Sequence, residues 1–193
     1  MRRTLLLLLC LLAGWPALLA AQTIAPEATH ISYDRNRDFG VWRAGQDRCN
    51  TRCQVLERDS SIPTVTINGK VTVGWWHDPY TGESHRDAAE IDIDHLVPLK
   101  EAHVSGAWRW TREQRRDYAN DLSDPHHLKA VSRTANRSKG SRDPASWLPP
   151  DKDYHCDYVQ HWVGVKRRWK LSMDPLEAER IIEVLISCLQ PPE

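Results

Sequence analysis

The chain opens on an apolar run and then breaks into short segments of two different periods. After Met1-Arg2-Arg3, Leu5 to Leu12 and an alanine-rich stretch to Ala21 form a charged head, an apolar segment too short to span a bilayer, and a small-residue end. That pattern predicts a removed export signal over residues 1–21. Uncleaved, it would tether the same domain; a lipid-anchored form is disfavoured because Leu9 precedes Cys10. Thr64 to Ile67 and Val71 to Trp75 then flank Asn68-Gly69, a hairpin signal. Glu90 to Asp94 alternates acid and isoleucine, placing Ile91 and Ile93 on one side of a strand and Glu90, Asp92 and Asp94 on the other. Three carboxylates on one face repel unless a cation sits there.

Helical signals follow. Pro98 opens a helix predicted to reach about Ser105 and stop at Gly106, and Thr111 with Gln114 reads as a capping box for one reaching about Leu122. His127 to Val131 reads as a short strand, and Ser132 caps a short helix ending at Gly140. Asp151 caps a helix to about Trp169, and Asp174-Pro175 starts another to about Leu189. Tyr158, Val159, Trp162, Val165 and Trp169 are expected to meet Leu176, Ile181, Val184, Leu185 and Cys188 in a buried stripe. With no internal repeat, residues 22–193 form one α+β domain.

Charge adds little. The 26 basic and 26 acidic residues become 24 against 26 once Arg2 and Arg3 leave with the signal, so phosphate attraction must come from local clusters. Arg133, Arg137, Lys139 and Arg142 form one; Arg112, Arg115 and Arg116, and Lys166, Arg167, Arg168 and Lys170, read as solvated helix faces. Cys49, Cys53, Cys156 and Cys188 lie beyond the signal, an even number that argues for two disulfides in an oxidising compartment. Of the three pairings, Cys49–Cys53 with Cys156–Cys188 is favoured because the second would staple the two C-terminal helices. Zinc on Cys49, Cys53, His126 and His127 matches no structural zinc spacing.

The chemistry concentrates in Asp92-Ile93-Asp94-His95-Leu96-Val97-Pro98-Leu99 and, about forty residues later, Asn136-Arg137-Ser138-Lys139-Gly140. Phosphodiester hydrolysis needs an activated water, charge stabilisation on phosphate and help for the leaving oxygen. Histidine, titrating near pH 6.5, can take a proton from water, and Asp and Asn oxygens suit Mg2+ or Mn2+. Asp94 and His95 can serve one site only if the chain bends after the strand.

This combination resembles the HNH (His-Me finger, ββα-metal) endonucleases. The resemblance implies a ββα-metal core with an N-terminal hairpin and C-terminal helices, His95 as general base, and Asp94 and Asn136 as ligands of one divalent cation bridging a phosphate oxygen and the leaving O3′. Arg137, Lys139 and Arg142 would bind flanking phosphates. Arg37-Asp38-Phe39-Gly40 with Trp42, Ala119-Asn120-Asp121-Leu122, Arg142-Asp143-Pro144 with Trp147-Leu148-Pro149-Pro150, and Lys166 with Trp169 extend the likeness to exported bacterial proteins related to the C-terminal nuclease domain of GmrSD restriction enzymes. One position departs: many HNH enzymes start the second strand with an asparagine that pins the histidine loop, and here His127 takes its place. Asp92 either orients Asp94 or reaches the metal through water; His126 reads as a surface residue or an extra ligand, and His103 as a polar neighbour.

The expected protein is a secreted or periplasmic monomer, free of the membrane once its signal is removed, that cuts DNA, or RNA, with little sequence specificity. Two other readings are weighed. The tryptophans suit a carbohydrate- or cell-wall-binding module, which leaves Asp94, His95 and Asn136 unexplained. An HNH scaffold that binds nucleic acid without cutting is opposed by those same intact residues.

Overall fold

A computed structural model describes residues 22–189; the predicted export signal lies outside the described residues. Asn68 and Gly69 both take positive φ (52° and 75°), which a two-residue turn matching strand twist requires. They join β1 (Val65–Ile67) to β2 (Lys70–His77), and β3 (Ser84–Asp87) completes an antiparallel sheet in the order β1-β2-β3. Polar throughout, β3 carries no alternation to signal it. Two helices upstream are equally silent in the pattern: α1 (Arg35–Asp38), capped by Asp34, and α2 (Thr51–Asp59), capped by Asn50. The inner side of α2 buries Val55 and Leu56 with Val71, Trp76, Ile91, Ile93, Leu128 and Ala130 in the smaller of two cores.

The unit that positions the site is local. β4 (Ile91–His95) pairs antiparallel with β5 (Leu128–Ser132), setting Asp94 opposite Lys129 and His95 opposite Leu128. Between them run α3 (Leu99–Val104), begun at Pro98, and α4 (Arg112–Ala119), whose Thr111–Gln114 capping box is formed. The Ser132 hydroxyl accepts the Ala135 N–H to cap α5 (Arg133–Lys139), which Gly140 ends at φ 61°. Strand, strand and helix make the ββα unit of an α+β fold.

The helix predicted to reach Leu122 stops at Ala119. Asn120 ends it: its Nδ2 donates back to the Arg116 carbonyl (2.9 Å), while Oδ1 accepts the Arg43 N–H and the Thr51 hydroxyl (both 2.7 Å).

Asp151 caps a 3-10 turn, Lys152–Tyr154, and α6 (His155–Arg168) follows; α7 (Pro175–Ser187) starts with a capping box between Asp174 and Glu177. Their facing sides join the larger core, with Tyr158, Val159, Trp162, Ile181, Val184 and Leu185 against Phe39, Tyr80, Leu96 and Tyr118. Burying each such apolar side chain contributes roughly 1.5–3 kcal/mol. Leu176 departs from the expected stripe: it lies in the first turn of α7, one residue after Pro175, and is 68% exposed. Lys166 departs the other way: expected on a solvated face, it is buried between Glu101 and Glu177. Cys156–Cys188 ties the start of α6 to the end of α7, and Cys49–Cys53 closes the N-terminus of α2. No described helix is long and apolar enough to cross a membrane.

Candidate active site

Asp94 and His95 close β4, and the ladder runs one step further, with Leu96 N–H donating to the His127 carbonyl (3.0 Å). The bend falls at Leu96 and Val97, after the histidine. Both side chains line one cleft of about 340 Å³, together with Tyr33, Arg35, Lys100, Asn136 and Arg137.

The His95 ring is fixed on several sides. Its Nε2 lies 3.0 Å from the Ala119 carbonyl, which can only accept, so Nε2 carries the hydrogen and Nδ1 the lone pair. Trp42 lies parallel to the ring (centroids 5.3 Å, 6°), and Tyr118 nearly so (6.4 Å, 11°). The early end of α4 is what frees the Ala119 carbonyl for this bond. Burial pushes the His95 pKa well below the usual histidine value, helped by His127, Arg35 and Lys139 and opposed by the carbonyl bond. The ring is therefore neutral at neutral pH, the form that can take a proton.

Beneath it, Asp94 is held through one oxygen. Oδ2 accepts the Tyr80 hydroxyl (2.6 Å) and the Lys139 ammonium, which also donates to the His95 carbonyl (2.8 Å). Asp78 shapes the turn that delivers Tyr80, accepting the Tyr80 N–H on Oδ1 and the Thr81 hydroxyl on Oδ2 (both 2.9 Å). Burial raises the Asp94 pKa against Lys139 and Tyr80, and lowers that of Lys139 against Asp94. Lys139, expected on a flanking phosphate, is 0% exposed and cannot reach one; the core needed a cation beside Asp94, and the last residue of α5 faces inward.

Asn136 is set on α5 with its Nδ2 donating to Asp92 Oδ2 (3.3 Å), which turns Oδ1 away as the free amide oxygen. Asp92 thus reaches Asn136, with Arg133 3.8 Å away, and does not pair with Asp94. Glu90 leaves the strand for a 3-10 turn and meets His85 (3.2 Å), so the three carboxylates of the alternating segment part ways.

His127 joins loop and helix. Its carbonyl continues the ladder to Leu96, and its Nε2–H donates to the Tyr118 carbonyl (2.7 Å), one residue before the carbonyl that anchors His95. Arg137 is exposed in the cleft. Arg142, also exposed, donates to the Lys139 carbonyl (3.1 Å) beside a neighbouring cavity of about 570 Å³. His126 stacks on His161 (centroids 3.6 Å), away from this cleft, and Cys49 and Cys53 are bonded to each other, which rules out the zinc set.

Sequence reasoning missed Tyr80, Trp42, Arg35, Lys100 and the α4 carbonyls. Trp42 and Ala119 sat in segments already picked out by the resemblance, and nothing local assigned either to the histidine. The remaining Asp94 oxygen and the Asn136 amide oxygen are hard donors, a set that fits a magnesium- or manganese-type cation with water completing its shell.

A family model for the C-terminal domain of GmrSD restriction endonucleases matches residues 56–184. A relative from Arthroderma benhamiae, described as an uncharacterized secreted protein, is 39% identical over 172 residues, covering 89% of this chain and 83% of its own. No solved structure matches the chain. With a neutral, anchored histidine beside two hard oxygen donors and a family match over most of its length, the chain belongs to the GmrSD restriction endonuclease C-terminal domain family, a nuclease-like family.

Proposed function

We propose that this protein is an exported, divalent-cation-dependent endonuclease that hydrolyses DNA phosphodiesters with little sequence specificity. One observation carries the reading: His95 donates Nε2–H to the Ala119 carbonyl and keeps an Nδ1 lone pair in the cleft it shares with Asp94 and Asn136. His95 Nδ1 takes the proton of the attacking water. Asp94 and Asn136 hold Mg2+ or Mn2+, which supplies charge neutralisation at the phosphate and the leaving oxygen. Tyr80 and Lys139 orient Asp94, Asp92 orients Asn136, and His127 steadies the helix end that steadies His95. Arg137 and, further along, Arg142 contact flanking phosphates. The sequence pattern over residues 1–21 and the secreted relative support export, with residues 22–193 as the nuclease domain.

The test is plasmid cleavage by the purified chain in Mg2+, in Mn2+ and in excess EDTA, beside His95→Ala. We expect nicking that needs metal and falls at least about 10³-fold in the variant, most of it the lost proton transfer, which contributes about 10²–10⁴-fold. A folded wild type silent in both metals, or an undiminished variant, overturns the mechanism.

A further inference from the structure

The matched family region begins at residue 56, yet part of the cleft wall comes from before it. Residues 33–43 form a strap over the catalytic unit. Phe39 is buried in the larger core, and Arg115 Nε donates to the Asp38 carbonyl (3.0 Å). Arg43 N–H donates to Asn120 (2.7 Å) and its guanidinium pairs with Asp117 (2.7 Å). All three partners, Arg115, Asp117 and Asn120, are on α4 or end it, so the strap is tied to the same helix whose last carbonyl orients His95.

The strap brings Trp42 parallel to the His95 ring and puts the Arg35 guanidinium 5.9 Å from the Trp42 ring centroid, at the cleft. Arg35 is exposed and makes no ion pair among the described residues. The acids beside it are already engaged. Asp34 accepts the Arg37 N–H (2.7 Å), and Asp38 takes the Arg37 guanidinium on both oxygens (2.9 Å each). An arginine resting on an indole face, with its donors free and no carboxylate to consume them, is prepared for an anion that can meet its fork. Lys100 and Arg137 line the same cleft, so that anion enters a cationic wall.

We infer that Arg35 is a phosphate-binding residue for the nucleic-acid strand being cut, aimed by Trp42 and supplied by a segment outside the matched family region. The inference rests on the nuclease reading above and adds a substrate contact to it. Trp42 is a positioning residue: it acts through Arg35 and through the plane of His95.

Two measurements on the intact disulfide-bonded chain test it. The first is kcat/KM on plasmid for wild type, Arg35→Ala and Arg35→Lys. The second, in a His95→Ala background without metal, is the salt dependence of binding to a fluorescent DNA duplex, with and without Arg35→Ala. Arg35→Ala should lower kcat/KM by about 10- to 100-fold, the worth of a charged hydrogen bond. It should also flatten the slope of log K against log salt by about 0.9, one released counterion. Arg35→Lys keeps the slope and recovers part of the rate. Because Arg35 is exposed, an unchanged unfolding midpoint accompanies these losses. A cleaving wild type whose Arg35→Ala variant keeps the same slope and a rate within twofold overturns this inference alone; a wild type that neither cleaves nor binds overturns the nuclease reading as well.

Discussion

Among the described residues two lysines are fully buried, and they are treated in opposite ways. Lys139, at the catalytic cleft, faces one carboxylate, Asp94, with the His95 carbonyl as its other partner. Lys166, in the C-terminal scaffold, faces two, Glu101 (2.7 Å) and Glu177 (2.6 Å), and also donates to Ser105 Oγ (3.1 Å) and the Ser172 carbonyl (2.9 Å). Burial is the largest single influence on both and pulls both pKa values down. At Lys139 one acid does not offset it, and the net shift is downward. At Lys166 the two acids together exceed it, and the net shift is upward. The scaffold over-compensates its cation and gains a cross-link between α3, α6 and α7. The site under-compensates, and that leaves Asp94 with an oxygen that accepts no hydrogen bond from the described residues and can serve a ligand.

Removing each cation should therefore cost different amounts. Lys166→Met leaves Glu101 and Glu177 facing each other without a counter-charge, and we expect a stability loss of about 3–5 kcal/mol. Guanidinium unfolding measures it; a loss under about 1 kcal/mol would mean that the network is not holding the scaffold. Lys139→Met strands a single carboxyl whose pKa burial already raises, so it can take up a proton and limit the damage to about 1–3 kcal/mol. The same variant should cleave at least about tenfold more slowly, because a protonated or rotated Asp94 is a poor ligand. If Lys139→Met proved the more destabilising of the two, the comparison would be broken.

The same pair shows where sequence reading stops. Both lysines lie in basic runs, which read as a phosphate contact for Lys139 and as a solvated helix face for Lys166. What buries them is an acid 45 residues away in one case and 65 in the other, and no local period encodes that meeting. Asp94 and His95 on a strand, and Asn136 on a capped helix, were candidates because two short motifs resemble those of the HNH enzymes, and the structure brings the three to one cleft. The hairpin was legible because Asn68-Gly69 dictates its own turn, and the Cys156–Cys188 pairing followed from the two C-terminal helices it joins, which left Cys49 for Cys53. Tyr80, Trp42 and Arg35 were not, since each reaches the site across the fold from a loop or a four-residue helix. β3 and α2 escaped for a simpler reason: their composition is too polar to carry a period.

The smallest effect bears most directly on why the scaffold can hold two acids on one cation. Burial raises the Glu177 carboxyl from its ordinary 4.5 to about 7, against the pull of Lys166. Between those values the folded protein keeps a proton that the unfolded chain has released. The stability this contributes is complete below pH 4.5 and is lost as pH rises through about 7. Glu177→Gln cannot ionise and lacks this dependence. His95, His103, His127 and His161, all lowered by burial, titrate in the same window with the opposite sign, but they do so in both proteins and cancel in the difference. Moving from pH 5 to pH 8 should therefore shift the stability gap by about 2.5 kcal/mol in favour of the variant, read from denaturant unfolding at each pH. A gap that does not change with pH would mean that Glu177 is ionised throughout. Lys166 would then hold two full negative charges in the core, and the contrast with Lys139 would lie in the number of acids alone, with no proton needed to make the second one tolerable.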